Sequence, residues 1–189
     1  PRLGAATNEA EENVALQVAE QICDYLLTGA VVNALNMASV SAEDAPKLRP
    51  YMKLAEQMGS LMGQVVETGI KAVTIEYEGH VAGLNTKPLT AIILKGVLAG
   101  VMESVNMVNA PVIAKERSIA VSETKRDTAA NYHTLVRLHI TTEQTTRTLT
   151  GTLFAGDKPR IVAVGDVPLE FELTPRLLYI RNEDQPGFI

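Results

Sequence analysis

The sequence predicts an α+β fold: an antiparallel sheet with helices packed on one face, preceded by an isolated N-terminal helix. Two observations carry this. Up to about Val101 apolar residues recur mainly at helical spacing, whereas from Ile119 onward they alternate. The alternating segments are separated by short Gly- and Asp-containing turns, which is the pattern of consecutive antiparallel strands.

The first helix is expected from Asn8 to about Thr28. Val14, Val18, Ile22 and Leu26 lie on one stripe, and Thr28-Gly29 closes it. Thr7 or Asn8 can cap its start, and Glu9, Glu11 and Glu12 suit the positive end of a helix dipole. The chain opens as PRLGAATNEAEE without an initiator Met, so this entrance reads as the junction of something longer. The next stretch, AVVNALNMASVSAEDAP, has no clear period, offers Ser41 as an N-cap and reads as a linker. The second helix has the strongest signal: Tyr51, Leu54, Ala55, Met58, Leu61, Met62 and Val65 share a face, and Gly69 ends it.

KAVTIEYEG then alternates as a strand, with Val73, Ile75 and Tyr77 on one side and Thr74, Glu76 and Glu78 on the other. Leu89 to Val101 is apolar nearly all round and is expected as a deeply packed third helix. Gly96 and Gly100 imply close contact with a neighbouring backbone. AVSETKRD, TLVRLHIT, TRTLTGTLFA, RIVAVGD and VPLEFEL follow as strands, Val136, Leu138 and Ile140 marking a core face. RLLYIRNEDQPGFI starts another strand and turns at Asn182 to Gly187.

Composition excludes several classes. The chain has 189 residues, 46% of them hydrophobic, enough for a sizeable core. AIILKGVLAGVM is broken by Lys95 and falls short of the roughly 20 residues that span a bilayer. No secretory signal is visible, and a cytoplasmic location is expected. Cys23 is the single cysteine, so no internal disulfide forms, and its apolar neighbours suggest a small buried hydrophobe. The net charge of −5 argues against nucleic acid, and aromatic residues at 4% argue against a base-stacking surface.

No GxGxxG, P-loop, HExxH, CxxC or GxSxG motif is present. His80, His133 and His139 fall on a loop, a loop edge and the polar side of a strand, without metal-ligand spacing, and no metal is expected. Glu76 and Glu78 share a strand face and are expected to be solvated. Basic residues are more suggestive. Lys115 and Arg117 sit in what reads as an extended or loop region. Arg147 and Arg160 lie near strand ends, and an anion would find bidentate donors if the sheet gathered them. Scattered solvated charge explains the same residues. Lys87 stands just before the third helix, where free amides also attract anions.

Several stretches together resemble the long form of D-3-phosphoglycerate dehydrogenase: PRLGAATNEAEENVALQVAEQICDYLLTGAVVNALNM, TIEYEGHVAGLNTKPLTAIILKGVL, VNMVNAPVIAKERSIAVSE and LLYIRNEDQPGFI. The resemblance runs over essentially the whole chain. It implies that residues 1–38 are the tail of the catalytic portion, 39–174 an intervening allosteric substrate-binding domain, and 175–189 the first strand and ligand loop of an ACT domain. The family's reaction is the NAD-dependent oxidation of 3-phosphoglycerate that opens L-serine synthesis.

The resemblance places the family's catalytic histidine, in a Pro-His-Leu-Gly motif, at Arg2. An arginine stays protonated and cannot shuttle the proton. The nucleotide loop would lie upstream, so this chain alone is expected to be inactive, with no cofactor of its own and NAD belonging to the parent enzyme. The resemblance further implies L-serine contacts at Asn182, Asp184, Pro186 and Gly187. It also implies an effector anion site, phosphate or 3-phosphoglycerate, for which Lys115, Arg117, Arg147 and Arg160 are the candidates by charge. A homo-oligomer is expected, with neither membrane nor nucleic acid as partner. The alternative is a purely structural oligomerisation or spacer module without a small-molecule site.

Overall fold

The computed structural model describes residues 8–34, 39–66, 69–102, 104–129 and 131–180. Among the described residues four α-helices and six strands follow one another, with a short 3-10 helix (His80–Gly83) after the first strand: α1 (Asn8–Thr28), α2 (Ala45–Val65), β1 (Ile70–Gly79), α3 (Lys87–Ala99), α4 (Ala110–Glu116), β2 (Ala120–Arg126), β3 (Thr134–Thr142), β4 (Thr146–Phe154), β5 (Lys158–Val164) and β6 (Val167–Phe171). The α+β fold with an N-terminal helix is as the sequence predicts.

The sheet has the order β2-β1-β3-β4-β5-β6. Strands β3 to β6 form an antiparallel meander, and β3 also pairs antiparallel with β1. One pair departs from the expected antiparallel sheet: β2 runs parallel to β1. The chain leaves β1 through α3 and α4 before β2, and such a crossover can return the chain to the same end of the sheet, as a tight hairpin cannot.

Helices α2 and α3 cover one face. Leu48, Leu54 and Met58 of α2, Ile93, Val97 and Leu98 of α3, and Val73, Ile75, Tyr77, Leu138, Ile140 and Leu149 of the sheet are fully or almost fully buried in one cluster. Gly59 and Gly63 on α2 let α3 approach closely. A Cβ on Gly59 would sit 2.6 Å from the Ile93 carbonyl oxygen, and one on Gly96 would sit 2.6 Å from Gly59 and Ser60 backbone atoms. The close contact expected of Gly96 and Gly100 is therefore with α2, Gly100 meeting Gly63.

Helix α2 starts at Ala45, earlier than its apolar stripe suggested. Pro46 is in the first turn, where its missing N–H is no loss, and Pro50 is accommodated inside the helix. Ser41 accepts the Asp44 amide at 3.1 Å just ahead of it. Between α1 and α2, Val31 and Val40 exchange two backbone hydrogen bonds, and Ala30 and Val40 are buried.

Helix α1 ends as expected, with Gly29 at φ 81° donating to the Tyr25 carbonyl. Its apolar stripe is bare, however: Val14, Val18, Ile22 and Leu26 are all exposed, Leu26 by 74%. Cys23 is exposed as well, contrary to the buried position expected from its neighbours, because the stripe that surrounds it meets no core here. After β6, residues 177–180 join no strand among the described residues, although RLLYI reads as the beginning of one. No described helix is long and apolar enough to cross a membrane.

Candidate functional site

The sheet face turned away from the helices carries an ion-pair cluster. Alternation puts Glu76 and Glu78 of β1 on that side, and the β1–β3 register sets Glu76 opposite Arg137 and Thr74 opposite His139. Arg137 Nη1 donates to Glu78 Oε1 at 2.6 Å and to Glu76 Oε2 at 3.4 Å, while Arg126 of β2 lies 3.6 Å from Glu78. The side chain of Glu78 is only 4% exposed. The expectation of solvated carboxylates is thus corrected: cross-strand arginines cover them. His139 Nδ1 is 2.9 Å from the Thr148 hydroxyl, and its Nε2 is 3.5 Å from Glu76. Two carboxylates facing two guanidiniums balance, so this cluster has no spare positive charge with which to hold an anion.

Basic side chains gather at one end of the sheet. The first strand ends at Gly79, whose φ of 71° suits glycine and whose missing Cβ leaves room for the carbonyl of His133. That reversal lets the His80 amide donate to the His133 carbonyl at 3.1 Å. It stacks the two imidazoles, with centroids 5.2 Å apart and planes 21° from parallel. Tyr51 of α2 comes against His80, with ring centroids 6.2 Å apart. Burial raises the Tyr51 phenol above its ordinary value, and a hydrogen bond with Thr134 offsets part of this.

These residues, with Lys47, Pro50, Leu153 and Gly156, line an open cleft of about 410 Å³. Among the described residues no acidic side chain lines it. Lys47 pairs with Glu43 at 3.3 Å and Asp44 at 3.7 Å, but these are exposed pairs of small worth that an incoming anion can replace. The cleft thus offers the Lys47 ammonium and the ring nitrogens of His80 and His133 on one wall.

The basic residues singled out in the sequence are dispersed. Lys115 is on α4 rather than in the extended or loop region expected, whereas Arg117 lies in the turn that directly follows that helix; the seven-residue helix was hidden by its Pro111 and its brevity. Arg117 borders an apolar cleft between α2, α3 and β1. Arg147 borders a different one near Asp166 and Tyr179. Arg160 is on the outer sheet face, 3.2 Å from Glu172. Lys87 is exposed in the first turn of α3. Arg2, Asn182, Asp184, Pro186 and Gly187 lie outside the described residues. Sequence reasoning missed the cleft because His80 and His133 are 53 positions apart and meet only through the β1–β3 pairing. Gly79 was the available signal.

Residues 47–165 match the family profile described as the D-3-phosphoglycerate dehydrogenase intervening domain. Proteins named D-3-phosphoglycerate dehydrogenase resemble the chain over its full length. The one from Bacillus subtilis is 35% identical, that from Synechocystis 38% and that from Methanocaldococcus jannaschii 32%, the match covering 36%, 34% and 36% of those proteins. The chain thus spans about a third of the length of these curated relatives.

Proposed function

This chain belongs to the family of the D-3-phosphoglycerate dehydrogenase intervening domain, and from that premise we propose that it is a regulatory segment of such an enzyme, binding a small anionic effector beside Lys47, His80 and His133. The parent reaction is the NAD-dependent oxidation of 3-phosphoglycerate in L-serine synthesis, in the cytoplasm. NAD and the catalytic acid belong to portions of the parent other than the cleft. Asn182, Asp184, Pro186 and Gly187 are proposed to meet L-serine as part of an ACT domain.

The observation that carries the reading is the convergence of three basic side chains on a cleft that no acidic side chain among the described residues lines. Phosphate or the phosphate and carboxylate of 3-phosphoglycerate are the matching ligands, since Lys supplies a charge-assisted donor and each imidazole a ring N–H.

The test is an NMR titration of the imidazole signals with inorganic phosphate and with 3-phosphoglycerate at pH 6 and pH 8. Both His80 and His133 should move at each pH, and the His80→Ala variant should lose most of the response. Unmoved imidazoles at millimolar ligand would sink the cleft. Shifts confined to Lys115, Arg117, Arg147 or Arg160 would transfer the effector to those side chains. No response anywhere would favour the spacer reading.

A further inference from the structure

The sheet ends on one side at β2. All seven of its residues are exposed, and β1 is its one pairing partner among the described residues. Such a strand presents a row of backbone N–H and C=O groups to any second strand. Proteins guard edges of this kind with proline, a bulge, charged side chains or a covering helix or loop. Strand β2 has no proline, and its register with β1 is unbroken. Its charges are of both signs, Glu123 beside Lys125 and Arg126.

We propose that β2 pairs antiparallel with β2 of a second copy of this chain, joining the two sheets across a twofold axis normal to them. The proposal deepens the oligomer contact expected of the regulatory segment and is independent of the effector cleft. Face and charge together select one register. Glu123 and Lys125 are turned to the helix side, where Glu123 accepts from the Thr86 hydroxyl at 2.9 Å and Lys125 Nζ donates to the Leu84 carbonyl at 3.0 Å. Ser122 and Arg126 are turned to the other side, 3.0 Å from Thr74 and 3.6 Å from Glu78.

A twofold axis normal to the sheet keeps both helix layers on the same side, so a helix-side residue can oppose only a helix-side residue. A register centred on Glu123 sets it against the partner's Glu123. One centred on Lys125 sets lysine against lysine and Glu123 against the partner's Asp127. The register centred on Thr124 sets each Glu123 against the partner's Lys125, twice by symmetry, and Arg126 against the partner's Ser122. Opposite charges directly across a strand pair attract and like charges repel. The strand is therefore complementary to itself in that register.

The experiment is sedimentation velocity of the 189-residue chain over a range of concentrations, with circular dichroism confirming that each variant folds. The chain should dimerise. Glu123→Lys and Lys125→Glu should each weaken the dimer by about tenfold, and the double charge swap should restore it. A chain monomeric at every concentration, a dimer indifferent to the single reversals, or a double swap that fails to restore pairing would each overturn the proposal. A monomer whose His80 and His133 still answer to phosphate would overturn the edge pairing and leave the effector reading standing. A charge-sensitive dimer with silent imidazoles would do the reverse.

Discussion

Tyr77 shows how a single side chain can tie this core to pH. It is fully buried under α3, and its hydroxyl lies 2.8 Å from that of Thr90. Burial drives its phenol strongly upward from the ordinary value, the Thr90 contact opposes this, and the charge of Glu123 adds to it. The folded state therefore holds the proton longer than the unfolded chain does. Stability from this group is complete below about pH 10, where the unfolded phenol titrates, and falls as pH rises beyond that. Urea unfolding from pH 8 to 11 should show a midpoint that declines above pH 10. In Tyr77→Phe the decline should be shallower, after a loss of about 1 kcal/mol at neutral pH from the missing hydrogen bond. An unchanged alkaline slope would assign the effect elsewhere. Glu78 teaches a related lesson: alternation alone suggests a solvated carboxylate, but Arg137 and Arg126 approach from both neighbouring strands and bury it.

At the scale of elements, the α2–α3 contact is the tightest joint in the fold. Its glycines are read from sequence only as a hint on α3; their partners, Gly59 and Gly63, become evident when the two helices are laid together. Alanine is the better helix former by about 1 kcal/mol. At Gly59 the added methyl would nevertheless press on the backbone of Ile93, which cannot swing aside as a side chain can. Gly59→Ala should lower stability by about 2 kcal/mol net, read as a fall in the urea midpoint without a change in its slope. A stabilised variant would show that the helices can separate without loss. Other elements were legible for plain reasons: the stripe of α2 and the alternation of β3 through β6 each match one period over several residues. The start of α2 and the whole of α4 were not, since prolines in both obscure the period.

For the whole molecule, the core and the N-terminal helix are separable in energetic terms. The buried cluster draws on α2, α3, α4 and the sheet, and no residue of α1 belongs to it. A chain beginning at Gly29 should unfold within about 1 kcal/mol of the full chain, because the removed apolar stripe is already in water. A large loss on calorimetry would mean that α1 is bound to something the isolated cluster does not reveal. The sequence by itself determined the types of α1 to α3 and of the six strands and the core faces of α2, β1 and β3, because periodicity is a local property written along the chain. Its motifs in combination pointed to the family that the profile match establishes. Only the tertiary structure decided that β2 runs parallel to β1, that His80 stacks on His133, and that the carboxylates of β1 lie under arginines. Each of these depends on which distant segments become neighbours. That choice is made by loop closure and core packing acting on the whole chain, which no local pattern encodes.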